Sequence, residues 1–258
     1  MKYKIKAAVA SRKGDYRASN EDNFLFGDNF LKNKEEDVCL KSSFKLPATF
    51  AVFDGMGGSG YGREASFTAA QALYHCSRGL GKYKKEELSR KLEEWISLIN
   101  QKVYSLTEQG RKTGCTLAMG YLHEQGIFLA NVGDSRIYRF HENKLEQLSE
   151  DHNQARDLMC LGMGAKRNKG KNVLTQYIGM SPEEVIIEPC FRTLEYDSML
   201  LLLCSDGLDA AFGAGELEEQ LSMKRRLRPK RLARLLVDEA MKRGSRDNIT
   251  AMIIKIDV

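Results

Sequence analysis

Apolar residues alternate with polar ones, or run on for several residues, at roughly 4–9, 47–53, 115–122, 126–132, 135–140, 185–193, 198–204 and 249–256, and each run predicts a strand. The stretch LHEQG, between the third and fourth runs, and HENK, after the fifth, read as hairpin loops. Antiparallel pairing is therefore expected. Two long segments follow a helical period instead. One runs from about Gly62 to Arg78; the other, from Lys85 to about Gln109, carries Leu88, Leu92, Ile96, Ile99, Val103 and Leu106 on one stripe. Further helices are expected near 153–161 and 229–243. Strands, a helix pair, many strands and then helices imply an α+β layered fold and disfavour a doubly wound parallel sheet.

No repeat, low-complexity tract or Pro/Ser-rich linker interrupts the 258 residues, so one domain, 1–258, is the expected partition. No segment reaches the length of a membrane span, and the opening MKYKIKAAVASRKGDY alternates charge with apolar side chains. A cytoplasmic protein with no membrane partner is expected. Six cysteines, at 39, 76, 115, 160, 190 and 204, are scattered without a C-x-x-C pair, which reads as reduced thiols and not as a disulfide or zinc framework.

Forty basic against 35 acidic residues give a formal charge of +5. Part of the excess lies in AKRNKGK (165–171), read as a mobile loop, and part in KRRLRPKRLARLL (224–236). In the second, Leu232, Leu235, Leu236 and Ala240 fall on one face, which makes the arginines the solvated side of an amphipathic helix. Basic runs without a groove-reading fold do not indicate nucleic acid, and none is expected as a partner.

FAVFDGMGGSG (50–60) is a buried strand entering a glycine-rich turn. Gly55, Gly57 and Gly60 fit the spacing of a dinucleotide-binding turn, yet Asp54 at its mouth would repel a phosphate, and the next long element is a helix where that fold needs a strand. The glycines fit better as tight backbone beside a charged centre. Aspartates recur at such places. Asp54, Asp134 and Asp206 end apolar runs, Asp247 stands just before one, and Glu21 and Asp22 precede a further short strand. A single strand-end aspartate is ordinarily a turn former. Several of them, two followed by glycine, would repel one another unless cations held them, and an all-oxygen donor set calls for hard Mg²⁺ or Mn²⁺. Two such ions would activate a water for in-line attack.

At these residues the chain resembles a known family. RASNED, FAVFDGMGG, GCT, ANVGDSRIY, SEDH, NVLTQYIG, CSDGL and GSRDNIT occur in the order and approximate spacing of the metal-dependent serine/threonine protein phosphatases, the type-2C or PPM family, and most closely of its short bacterial members. The resemblance implies a four-layer α/β/β/α sandwich of two antiparallel sheets flanked by helices. It implies hydrolysis of phosphoserine and phosphothreonine by direct attack of a metal-bridging hydroxide, with two Mn²⁺ or Mg²⁺ ions and a third bound weakly. Asp54 would bridge both ions, with Glu21 and the Gly55 carbonyl on one, Asp206 and Asp247 on the other, and Asp134 with Asp206 on the third. Arg17 would bind the phosphate, Asp22 would hydrogen-bond metal-bound water, and Asn248 would orient Asp247 or water. Partners would be phosphorylated proteins made by a serine/threonine kinase, met by a monomer.

Some positions depart from the family. Met56 stands where animal members carry a histidine able to donate a proton, as it does in bacterial members; Ser59 and Arg63 replace a common histidine and a common acid. The segment 165–171 corresponds to the family's variable flap, and Lys166, Arg167, Lys169 and Lys171 are expected to receive acidic flanks of a phosphopeptide. His152 is expected to be a structural hydrogen-bonder. The alternative readings are a metal-dependent phosphodiesterase and a non-catalytic regulator with the same fold.

Overall fold

The structure, a computed structural model, describes residues 3–32, 37–57, 61–78, 83–107, 113–162, 173–213 and 215–258. The chain opens with strands β1 (Lys4–Arg12), β2 (Asn23–Phe26), β3 (Asp37–Phe44), β4 (Ala48–Phe53) and the two-residue β5 (Gly55–Met56). Helices α1 (Tyr61–Ser77) and α2 (Lys85–Thr107) come next. Then follow β6 (Gly114–Cys115), β7 (Leu117–His123), β8 (Gly126–Val132), β9 (Arg136–His141), β10 (Lys144–Gln147) and α3 (Gln154–Cys160). β11 (Cys190–Leu194), β12 (Met199–Cys204), α4 (Asp206–Asp209), α5 (Glu216–Lys224), α6 (Pro229–Lys242) and β13 (Ile249–Asp257) complete it.

Two antiparallel sheets result, in the orders β10-β9-β12-β13-β1-β3 and β11-β8-β7-β4-β2, with β5 and β6 forming a small third ladder. Side-chain alternation makes the layers. Along β4 all six residues are buried because both faces are covered. Phe50 and Val52 point into the core between the sheets, while Ala51 and Phe53 point onto α1 and α2. β12 repeats the logic: Leu201 and Leu203 face the other sheet, and Leu200 and Leu202 face α4, α5 and α6. The order helices, sheet, sheet, helices is the expected α/β/β/α sandwich.

The expected helices form within two residues of their predicted bounds where residues are described. Leu232, Leu236 and Ala240 of α6 are buried against β1 and β13, with Lys230, Arg231 and Arg234 outward. HENK is a hairpin turn with Glu142 and Asn143 at φ 50 and 62, the left-handed pair that matches strand twist. The expected strand at 185–193 shortens to β11, since Ile186 is 84% exposed and no described strand pairs with it. β3, β10, α4 and α5 had no expectation. The basic segment 165–171, and with it the flap reading, lies outside the described residues.

Candidate active site

Strand ends and one strand start deliver the acids to one end of the sandwich. Asp54 follows β4, Asp134 follows β8, Asp206 follows β12, Asp247 precedes β13, and Glu21 sits just ahead of β2. All five line one cleft of 1230 Å³, together with Arg17, Gly55 and Asn248. Asp22 lies behind the floor and is 2% exposed.

Close backbone approach makes this convergence possible. A Cβ on Gly55 would stand 2.2 Å from the Gly62 carbonyl oxygen and 2.5 Å from that of Glu21. A Cβ on Gly62 would in turn stand 2.6 Å from Glu21 Oε2 and 2.7 Å from the Gly55 oxygen. The start of α1 therefore presses the Glu21 carboxylate and the Gly55 carbonyl together. Gly207 does the same on the other side, since a Cβ there would meet the Asn248 oxygen at 2.0 Å.

Hydroxyl side chains fasten Asp54 and Asp22, and an amide fastens Glu21 and Asp247. The Asp54 N–H donates to Thr116 Oγ1 at 3.0 Å, and Thr116 shares a 2.6 Å hydrogen bond with Ser135, the neighbour of Asp134. Asp22 accepts from Ser205 Oγ at 2.8 Å and from Thr250 Oγ1 at 2.6 Å, and Thr250 Oγ1 also meets Ser11 Oγ at 2.8 Å. Asn248 ties the amino-terminal loop to β13: its Oδ1 accepts from the Glu21 N–H at 2.8 Å, and its Nδ2 donates to the Lys13 and Ser19 carbonyls at 2.7 and 3.0 Å. Its own N–H donates to Asp247 at 2.8 Å. Arg136 joins the Asp134 and Asp206 loops, donating to Asp151 from Nε at 2.9 Å and from Nη2 at 2.6 Å, and to Asp209. Asn248 is the support expected from the sequence; Thr116, Ser135, Ser205, Thr250, Ser11 and Arg136 were not singled out there. The signal present was a small hydroxyl residue close to several of the acids, in GCT, GDS, CSD and NIT.

Electrostatically the floor is overloaded with negative charge. Burial, and then Asp22, Asp206, Asp247 and Asp134, push Asp54 well above the ordinary carboxylate range. Burial raises Asp134 to about 7, with Asp206 and Asp151 adding to it. Asp22 is also raised to about 7 by burial, against the pull of its Thr250 and Ser205 hydrogen bonds. Asp206 and Glu21 are raised by burial as well, with Arg17 opposing the shift at both and Arg63 opposing it at Glu21. Arg17 Nη2 rests on Asp247 Oδ2 at 2.5 Å with half its side chain exposed. Arg63 donates from Nε to the Asn20 carbonyl at 2.9 Å. His152 sits behind the Asp134 turn, its backbone N–H donating to the Gly133 carbonyl at 3.0 Å.

These residues fit hard divalent cations. Every donor is an oxygen, and Asp22 Oδ1 and Asp206 Oδ1 are buried with no hydrogen-bond partner. Among the described residues no three of these side chains close on one point as metal ligands do. They border a shared floor instead.

Comparison with known proteins accords with this site. The family model described as Protein phosphatase 2C matches residues 7–158. A serine/threonine phosphatase, stp, of Listeria monocytogenes serotype 4b (strain F2365) is 31% identical over 263 residues, covering 98% of this chain and 96% of that one. The solved PPM Ser-Thr phosphatase MsPP from Mycobacterium smegmatis, in complex with cacodylate, is 26% identical with a TM-score of 0.74, over 98% of this chain and 97% of that one. The catalytic domain of the serine/threonine protein phosphatase PstP, solved with two manganese ions, shares the fold at 22% identity, with a TM-score of 0.78 over 99% of this chain and 100% of that one. With a family match over more than half its length and a relative alike across nearly all of it, the chain belongs to the protein phosphatase 2C family and is a metal-dependent serine/threonine protein phosphatase.

Proposed function

We propose that the acid end of the cleft is the catalytic centre and that residues 1–258 form one catalytic domain acting on phosphoserine and phosphothreonine in proteins. The observation that carries this is the floor itself, five cleft-lining carboxylates beside the Arg17 guanidinium, with one oxygen of Asp206 buried and without a hydrogen-bond partner. Asp54, central to the floor, would bridge two Mn²⁺ or Mg²⁺ ions. Glu21 and the Gly55 carbonyl would hold one, Asp206 and Asp247 the other, and Asp134 with Asp206 a third, weaker one. When bound, such ions activate water near neutral pH and offset the charge of the phosphoryl oxygens.

The remaining steps belong to the protein. Arg17 can turn from Asp247 to grip two phosphate oxygens through its planar fork, orienting phosphorus for in-line attack. Asp22, anchored by Ser205 and Thr250, keeps one oxygen free to accept a hydrogen bond from water behind the floor. Asn248 fixes the Glu21 backbone and Asp247 at once. Met56 has no proton to give, so the departing serine or threonine oxygen takes its proton from water.

The substrates would be proteins phosphorylated by a serine/threonine kinase, met by a monomer. All six cysteines are free thiols, which supports a cytoplasmic setting. Among the described residues no helix is long and apolar enough to cross a membrane.

The test is phosphate release from a phosphothreonine peptide by metal-stripped protein with Mn²⁺, Mg²⁺ or Ca²⁺ restored, alongside Asp54→Asn and Asp206→Asn. Activity should return with Mn²⁺ or Mg²⁺ and fall at least about a hundredfold in both variants. Undiminished turnover in Asp54→Asn would remove the acid floor from the reaction.

A further inference from the structure

The cleft is larger than a phosphorylated side chain needs, since pockets of roughly 300–1,000 Å³ enclose whole drug-sized ligands. Beyond the acid floor it runs along a wall built from the end of α2 and residues 173–184. That wall is fixed in place. Ile178 and Cys115 exchange backbone hydrogen bonds of 2.9 and 2.8 Å, adding a bridge to the β5–β6 ladder beside Gly55. Buried Asn100 of α2 accepts from the Gly179 N–H at 2.6 Å and donates to the Met180 carbonyl at 3.0 Å. Tyr177 lies against Gly114 so closely that a Cβ there would come within 2.6 Å of its ring.

What this wall shows the cleft differs from the floor. Tyr104, Tyr177, Leu174 and Val173 line it, and Val173 is 47% exposed. Glu184 stands at its rim, exposed and with no ion pair among the described residues. At the floor, Arg17 and two divalent ions would balance the five carboxylates. Glu184 alone among the described lining residues then keeps an uncompensated charge.

We propose that this wall binds the polypeptide beside the phosphorylated residue. It takes an aliphatic or aromatic side chain on the Tyr104–Tyr177 shelf and a lysine or arginine next to Glu184. The inference rests on the phosphatase reading of the floor and deepens it into a substrate class. A wall fixed before binding loses little entropy when a peptide settles on it, so its contacts appear in affinity.

The experiment compares kcat/KM of the Mn²⁺-loaded enzyme on phosphothreonine peptides with alanine flanks, scanning single lysine, glutamate or leucine substitutions through each flanking position. Hydrolysis of p-nitrophenyl phosphate, which has no flanks, reports the phosphatase separately. A lysine-over-glutamate preference of about three- to tenfold is expected at a flanking position, the scale of one exposed charge pair with its reversal. Glu184→Lys should abolish or invert it, while Glu183→Lys, an exposed neighbour outside the cleft lining, should move it less. Tyr177→Ala should erase the leucine preference through KM; because Tyr177 also packs on Gly114, Val173→Ser provides the same readout from a more exposed position.

Turnover of p-nitrophenyl phosphate with no discrimination among the peptides would overturn the wall and leave the phosphatase standing. So would a preference that Glu184→Lys does not alter. A preference for glutamate would also overturn it and would assign the flanks to the basic segment 165–171. Loss of p-nitrophenyl phosphate and of every peptide together would overturn both readings.

Discussion

Gly55 and Gly207 show how much of the site depends on single atoms. Each follows a cleft aspartate, and Asp-Gly is a common turn pair. In the fold neither glycine has the positive φ that a turn would demand; each is there because backbone passes where a side chain would stand. Gly55→Ala would push against the Gly62 and Glu21 carbonyls, and Gly207→Ala against that of Asn248. Backbone cannot rotate away as a side-chain tip can. Each substitution should therefore cost roughly 1–3 kcal/mol of stability and lower Mn²⁺ affinity in parallel, read by denaturant unfolding and by calorimetric titration. A Gly55→Ala protein with wild-type stability and metal affinity would show that the Glu21–Gly55 contact is unimportant. The acids were legible because strand ends mark them and because a charged group there needs a reason. Thr116, Ser135, Ser205 and Thr250 were not, since a small hydroxyl beside an acid is ordinary in any loop, and only the fold shows which oxygen it meets. Arg136 escaped for the same reason, its partners Asp151 and Asp209 lying 15 and 73 residues away.

Among the elements, α2 carries both the clearest signal and a hidden role. Its stripe of Leu88, Leu92, Ile96, Ile99 and Val103 is buried as the spacing predicts, yet Asn100, 4% exposed, lies beside that stripe. A polar residue there reads as a defect until the fold shows it holding Gly179 and Met180. Asn100→Leu keeps the helix and the volume but leaves a buried N–H and a carbonyl unpaired, a loss of roughly 2–4 kcal/mol. Hydrogen exchange at the Gly179 amide should accelerate at the same time. Unchanged exchange there would mean that the Cys115–Ile178 bridge alone fixes the wall. The unread strands β3 and β10 share one property, thin burial. β3 is an edge strand paired only with β1, and its residues are exposed or half-buried, so its alternation is faint. The 185–193 run held only from Cys190 onward, where β8 pairs with it; its first half is apolar sequence outside any ladder. β4, β7, β8, β12 and β13 were legible because both their faces are covered, which leaves long apolar runs in the sequence.

At the scale of the whole molecule, a chain of formal charge +5 folds so that its acids crowd one cleft. Net charge therefore says little about the site, and the local field decides what it attracts. Crowding has a consequence for stability. Buried carboxylates facing one another weaken the metal-free fold, and whatever binds the folded form alone stabilises it, by about 2.7 kcal/mol at a hundredfold excess over Kd. Asp54 stands at the centre of that repulsion, with Asp22, Asp206, Asp247 and Asp134 all raising it. Asp54→Asn removes the carboxyl group at the centre while keeping the shape. The variant should accordingly be the more stable protein when metal-free, by about 1–2 kcal/mol, as sites strained for function commonly gain stability when disarmed. It should also lose most of the rise in Tm that Mn²⁺ gives the wild type. Thermal unfolding of both proteins, stripped and then loaded, tests this in one series. If the stripped variant were no more stable than the stripped wild type, the acids would not be repelling one another; if its Tm still rose fully with Mn²⁺, the ions would be binding elsewhere than on the floor around Asp54.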